Sequence, residues 1–332
     1  MVDAPLIRIP AVPQPEGAEA HYLEAADGAR LRVVRYPLPA GTPRRGAVLV
    51  MPGWSEFSEK YAEVARDLHA RGFAVVVCDP RGQGYSQRLD GDDKRGHIRD
   101  FRIFVSDLST CMDYVRRTEE GPYALIAHSM GGLVTLEWLA EGKGNDLAGI
   151  ALSAPLTNLF PSRIKKRLVR MVTVAGAMAG RGESPLPGLK EQAYSFEGNV
   201  LTQDPVRHER FRQLQLAAPE ARAGLPKFDW LRAALAGMDR IQAPGALGSL
   251  PSEVLLVSAS RDETVDATHH PKLASAYPDK IRLVTVEGAR HELLMEADRF
   301  RDQFWAAFDQ YMDERIRPPS AGSSAASSVP RA

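Results

Sequence analysis

A serine hydroxyl is a poor nucleophile at neutral pH. It becomes effective when a neighbouring base takes its proton and a carboxylate fixes the tautomer of that base. The stretch Ala127-His128-Ser129-Met130-Gly131 has the spacing to present such a serine. A small residue two before Ser129 and a glycine two after it let the backbone turn sharply between a strand and a helix. That turn is strained and holds the hydroxyl out toward substrate. The apolar run Tyr123 to Ala127 reads as the incoming strand. Leu133, Val134, Leu136, Trp138 and Leu139 read as the outgoing buried helix, closed at Gly142. A chance Ala-x-Ser-x-Gly at a helix start is the bland alternative, and the two flanking elements weigh against it.

The partners of such a serine come from loops at the carboxyl ends of later strands. The strand Glu253 to Ser258 runs into Ala259-Ser260-Arg261-Asp262, and the next strand runs into Glu287-Gly288-Ala289-Arg290-His291. Nucleophile Ser129, orienting acid Asp262 and base His291 thus follow one another in the order Ser, Asp, His. Asp266 is the rival of Asp262. Asp262 is favoured because it lies nearer the strand end, with Asp266 read as a cap of the next helix. Of the eight histidines, His128 reads as a buried, hydrogen-bonded neighbour of the nucleophile. His21, His69, His208, His269 and His270 read as solvated surface residues. His97 is either structural or near the cleft.

Acyl transfer develops an oxyanion that needs preorganised N–H donors. The backbone N–H of Met130 is one candidate. The N–H of Trp54, in the loop Pro52-Gly53-Trp54-Ser55-Glu56, is the other, although an ordinary Pro-Gly turn would read the same way. The glycine-containing loop Asp79 to Ser86 lacks the Gly-Lys-Ser/Thr of a phosphate loop and reads as a tight structural loop beside the cleft.

The elements that must position these residues alternate. A hairpin, Tyr22 to Ala25 and Leu31 to Tyr36 around Asp27-Gly28, precedes strands at Ala47 to Met51, Phe73 to Cys78, Tyr123 to Ala127 and Ala148 to Ser153. Helices at Lys60 to Arg71 and Phe101 to Arg117 separate them. This predicts an α/β fold with a mostly parallel central sheet and helices on both faces. The alternation stops after Pro155 and resumes with a helix near Trp230 to Met238, strands Glu253 to Ser258 and Ile281 to Val286, and a helix Ala297 to Arg315. Residues 155–225 therefore read as an inserted helical cap, and residues 21–154 and 226–317 as the core. Residues 1–20 read as an irregular lead-in, and 318–332 as a disordered tail.

Lys+Arg and Asp+Glu both number 42. This balance excludes a strong field for nucleic acid. Two cysteines, Cys78 and Cys111, sit in apolar runs. They read as small core residues without disulfide or metal, which fits a reducing, cytoplasmic home. No apolar run approaches the roughly 18 residues that span a bilayer. Nothing in the sequence implies a metal, a cofactor or a protein partner.

On these motifs the chain resembles the serine hydrolases of the α/β-hydrolase family, and within it the monoacylglycerol lipase and lysophospholipase L2 group. The resemblance covers most of residues 20–315. That group carries Gly-His-Ser-Met-Gly-Gly, matched by Ala127 to Gly132 except at the first position. Its oxyanion loop is followed by Glu and later Tyr, here Glu56 and Tyr61. Its Asp-x-x-Gly-x-Gly-x-Ser loop is matched by Asp79 to Ser86, and a cap segment by Asn199-x-x-Thr202-x-Asp204-Pro205. Pro52 and Gln83 stand where the lipases commonly have histidine. The resemblance implies hydrolysis of fatty-acyl esters of glycerol or glycerophospho compounds. Short-ester, lactone or C–C hydrolysis, and a non-catalytic binding protein on the same scaffold, are the rivals.

Ile164 to Met178 mixes Lys165, Lys166, Arg167 and Arg170 with Leu168, Val169, Met171, Val172 and Val174. The favoured reading is a cap helix with its apolar side on the core. The rival is a basic amphipathic helix that rests on anionic lipid, giving the protein a peripheral membrane contact.

Overall fold

Short runs of β-branched and apolar residues become the middle of one sheet because both of their faces are covered. The computed structural model describes residues 2–88, 97–187 and 195–316. Its strands are β1 (Val2–Asp3), β2 (Glu19–Glu24), β3 (Arg30–Tyr36), β4 (Gly46–Met51), β5 (Phe73–Cys78), β6 (Tyr123–His128), β7 (Leu147–Ser153), β8 (Val254–Ala259) and β9 (Ile281–Val286). They form one sheet in the order β1-β2-β3-β5-β4-β6-β7-β8-β9. The pairs from β1 to β3, and β3 with β5, are antiparallel, and the remaining pairs are parallel.

Side chains alternate between the two faces, as strand geometry requires. Val48 and Val50 of β4 point to the layer of α1 (Ala62–Ala70) and α8 (Asp298–Asp313), where they meet Val64, Leu68 and Phe308. Ala47, Leu49 and Met51 point the other way. They meet α2 (Arg102–Thr118), α3 (Met130–Ala140) and α6 (Phe228–Gln242) through Phe104, Leu108, Leu133 and Met238. A last helix, α7 (His269–Ala276), packs against β9.

Between residues 155 and 225 the chain forms α4 (Arg163–Met178), α5 (Pro205–Ala217) and a short 3₁₀ turn, and contributes no strand to the sheet among the described residues. Asp204 caps α5, accepting from the N–H groups of Val206 and Arg207 at 2.8 and 2.9 Å, with Pro205 at the first helical position.

Several sequence expectations are corrected. The lead-in contributes an edge strand, β1, and buries Ile7 and Val12 against Phe57 and Leu214, so it is not simply irregular. Cys78 and Cys111 are joined as a disulfide with Cα atoms 6.6 Å apart, because β5 and α2 bring them face to face. The cysteines therefore lend no support to a reducing compartment. His69 is buried against the Tyr36 carbonyl, and His270 is fully buried between Ser258 and the Pro155 carbonyl; neither is a solvated residue. His21, His208 and His269 are half-buried.

The largest correction is α4. Its apolar stripe points away from the core: Ile164 is 80% exposed, Met171 62% and Met178 84%. The helix docks through its other side. Thr173 is buried, Gly176 admits the Phe228 ring, and Lys166 and Arg170 both pair with Asp239 of α6. Lys166, Arg170 and the small residues thus hold the helix down, with Val169 half-buried against the core, while Ile164, Leu168, Met171 and Met178 face outward. The expected tail, 318–332, lies outside the described residues. No described helix is long and apolar enough to cross a membrane.

Candidate active site

Ser129 stands between β6 and α3 with φ +50° and ψ −114°, a region that side-chain-bearing residues rarely adopt. The conformation is locked by its neighbours. The Ser129 N–H donates to the Ser153 carbonyl at 3.0 Å, and its carbonyl accepts from Gly132 and Leu156, both at 2.9 Å. A side chain at Gly131 would run into the carbonyl oxygens of Met51 and Pro52, so only glycine lets the loop after β4 approach the turn.

The loops after β8 and β9 bring Asp262 and His291 to this serine. The Ser129 hydroxyl lies 2.9 Å from His291 Nε2, and His291 Nδ1 lies 2.6 Å from Asp262 Oδ2. Asp262 Oδ1 accepts from the N–H groups of Thr264 and Val265 at 2.8 and 3.0 Å. Burial pushes the Asp262 carboxyl up, but the hydrogen bond and positive charge of His291 and these two backbone donors outweigh it. The group lies below the ordinary aspartate range. Asp266 does not reach the histidine. It accepts from the Thr268 hydroxyl at 2.6 Å and from Asn158 at 2.8 Å, fixing the turn before α7.

His291 sits on a loop laced to the cap. Glu292 N–H donates to the Leu201 carbonyl at 2.8 Å, Arg290 donates to the carbonyl of Asn199 at 2.8 Å, and Gln203 reaches the Gly288 carbonyl at 2.8 Å. Fully buried Glu296 accepts from the N–H groups of Arg290 and Gln203.

Trp54 and Met130 border the same cavity as Ser129 and His291. Among the hydrogen bonds of the described residues, neither of their N–H groups is engaged. Trp54 packs its ring 4.8 Å from that of Trp230.

A buried polar network that sequence reasoning did not assemble supports this loop. Glu56 accepts from the Gly53 N–H and from the Tyr61 hydroxyl, both at 2.6 Å. Lys60 pairs with Glu56 and, at 2.7 Å, with Glu292, the residue after His291. Burial alone would push the Glu56 carboxyl up; the Lys60 ammonium, His128 and Tyr61 hold it down, to about 2. His128 is buried, bonded through Nδ1 to the Ser153 carbonyl, and burial pushes its imidazole down to about 4. It is therefore neutral at physiological pH. The spacing of Glu56 and Lys60, opposite charges four apart, is the available signal for this network.

The cavity measures about 450 Å³ and is walled by Trp54, Leu156, Leu159, Leu186, Phe211 and Leu225, with Ser129 and His291 at its polar end. Among the described residues no group of three His, Cys, Asp or Glu side chains is arranged to hold a metal.

A family profile described as serine aminopeptidase, S33 (Hydrolase_4) matches residues 42–298. The lysophospholipase L2 of Escherichia coli strain K12 is 31% identical over 288 residues, covering 82% of this chain and 81% of that protein. The monoglyceride lipase of Homo sapiens is 27% identical over 296 residues, covering 89% and 90%. Among solved structures, a soluble variant of monoglyceride lipase from Saccharomyces cerevisiae in complex with a substrate analog superposes with a TM-score of 0.71 at 21% identity, over 91% of this chain and 98% of that one.

Proposed function

The chain belongs to the serine aminopeptidase S33 (Hydrolase_4) family of α/β-hydrolases, and from that premise we propose that it is a carboxylic ester hydrolase cleaving fatty-acyl esters such as lysophospholipids or monoacylglycerols through an acyl-enzyme. The observation that carries the reading is the hydrogen-bonded series Ser129, His291, Asp262 at the polar end of a 450 Å³ apolar cavity.

His291 accepts the Ser129 proton at Nε2 while its Nδ1–H donates to Asp262, which fixes the tautomer and stabilises the imidazolium that forms. The serine oxygen attacks the ester carbonyl. The oxyanion is received by the N–H groups of Trp54 and Met130, and the imidazolium returns its proton to the departing alcohol. Water, deprotonated by the same imidazole, then releases the fatty acid. The walls of the cavity suit an acyl chain. They suit peptide cleavage from a free amino terminus poorly, because an α-ammonium needs an unpaired carboxylate. The two carboxylates bordering the cavity, Glu56 and Glu292, already share Lys60.

The outward stripe of α4, flanked by exposed Arg163, Lys165 and Arg167, supports a second part of the proposal. The cap rests on an anionic lipid surface, where its substrates reside. The test is a series of p-nitrophenyl and lysophospholipid esters of increasing acyl length, with Ser129→Ala as control. Activity should rise from acetyl toward long-chain esters and vanish in the variant. A preference for acetyl esters would overturn the lipase reading, and an active Ser129→Ala enzyme the mechanism.

A further inference from the structure

The loop Asp79 to Ser86 follows β5 and touches neither Ser129 nor His291 in the hydrogen-bond pattern of the site, yet it is built with care. Asp79 Oδ1 accepts from the N–H of Ser58 at 2.8 Å and from its hydroxyl at 2.6 Å, and Asp79 Oδ2 accepts from the Tyr85 N–H at 2.9 Å. Gly84 adopts φ +52°, and any side chain there would collide with the Asp79 carboxylate. Ser86 links the Asp79 carbonyl to the Arg32 N–H, both at 2.7 Å. Within this frame the backbone of Gln83 is pinned on both sides, its N–H to Pro80 and its carbonyl to Ser86.

What the frame presents is one fully buried carboxamide. Gln83 Nε2 donates to the Gly53 carbonyl at 3.1 Å, and its Oε1 accepts from the Ser55 N–H. Those two groups flank Trp54. Ser55 holds φ +65°, a left-handed conformation that a non-glycine residue keeps only when its surroundings enforce it. Glu56 secures the remaining group, the Gly53 N–H. The Gly53 N–H, the Gly53 carbonyl and the Ser55 N–H are thereby engaged, and the Trp54 N–H between them is not.

We propose that Gln83 is a positioning residue for the reaction: its carboxamide clamps the Gly53 carbonyl and the Ser55 N–H, holds Ser55 in its strained conformation, and so aims the Trp54 N–H at the oxyanion. The inference rests on the ester-hydrolase reading above. Few side chains can do this. The task needs one acceptor and one donor on a single planar group, so a carboxylate or an apolar isostere fails, each for a different reason. A misaimed oxyanion donor weakens the transition state far more than the ground state, which appears in kcat rather than KM.

The test compares wild type, Gln83→Met and Gln83→Glu on a long-chain p-nitrophenyl ester, together with inhibition by a long-chain trifluoromethyl ketone, which the serine converts to a tetrahedral hemiketal. Thermal melts accompany each variant. Gln83→Met removes both hydrogen bonds at nearly constant shape. It should lower kcat roughly 10- to 100-fold with KM within about twofold, and weaken the ketone by the same factor as kcat/KM. Gln83→Glu should match it at pH 8, where the introduced carboxylate repels the Gly53 carbonyl. It should recover relative to wild type as pH falls, because the protonated carboxyl again donates to that carbonyl. Unchanged ketone affinity, a loss confined to KM, or a Gln83→Glu defect that is the same at every pH would overturn the assignment. An active wild type with undiminished variants overturns the positioning role alone. A wild type inert toward ester and ketone removes the ester-hydrolase reading, and this role with it.

Discussion

α3 and α4 are both rich in apolar residues, and the fold treats them in opposite ways. Every residue of α3 from Met130 to Leu139 is buried, whereas in the longer α4 only Thr173 is. A helix that is apolar on all sides has nowhere to go but the interior, and α3 fills it between α2, α6 and the sheet. An amphipathic helix has a choice of face. α4 pairs Lys166 and Arg170 with Asp239 and leaves Ile164, Leu168 and Met171 outside. The chemistry is thus mounted on the part of the molecule that packing immobilises, whereas α4 presents an apolar stripe to solvent.

The sharpest blow to the buried side is Asp262→Asn. It preserves shape but lets the imidazole adopt the wrong tautomer, so kcat should fall about 10⁴-fold. Asp266→Asn, whose carboxylate serves only the turn before α7, should stay within about twofold of wild type. Steady-state kinetics on one soluble ester distinguishes them, and equal losses in the two variants would reassign the acid.

The next effect is on stability. The His128 imidazole lies at about 4 in the folded chain against an ordinary 6.5. The unfolded chain therefore binds the proton first. This contribution is complete above pH 6.5 and is lost as pH falls toward 4, to the extent of about 3 kcal/mol. His128→Gln should flatten that part of the profile. Urea unfolding at pH 7.5, 5.5 and 4.5 measures it, and an unaltered slope would contradict the assignment.

The smallest effect on folding belongs to the outward side. Replacing Ile164, Leu168 and Met171 together by aspartate should change stability by only about 0.5 kcal/mol per site and leave turnover of a soluble short ester intact. The same variant should lose most of its binding to anionic vesicles in a flotation assay. Full vesicle binding would leave α4 without the lipid role.

The legible and illegible parts follow the same divide. β5 falls on the run Phe73 to Cys78, because a strand buried on both faces declares itself by composition alone, and the edge strand β9 falls on Ile281 to Val286, an apolar run broken only by Arg282 and Thr285. The Ala-x-Ser-x-Gly spacing marks Ser129 and strand-end position marks Asp262 and His291, and the fold brings these three side chains into hydrogen-bonding contact. The direction of α4 was not legible, since its pattern fixes a stripe and not what the stripe faces. His270 shows the same limit: a polar side chain carries no sign of the Ser258 and Pro155 partners that make its burial tolerable. Gln83 is legible as part of a tight loop and as a departure from the histidine of the lipases, but its role is not, because its partners lie about thirty residues away in the chain and meet it only when β4 and β5 pair.

The central claim is that His291 activates Ser129, and covalent capture tests it most directly. Treating the wild type, Ser129→Ala and His291→Ala enzymes with a fluorophosphonate and mapping the adduct by peptide mass spectrometry reports both site and rate. A single adduct on Ser129, absent in Ser129→Ala and formed at least about 10³-fold more slowly in His291→Ala, is the outcome this account requires. An adduct elsewhere, or labelling at Ser129 that is as fast without the imidazole as with it, would contradict it.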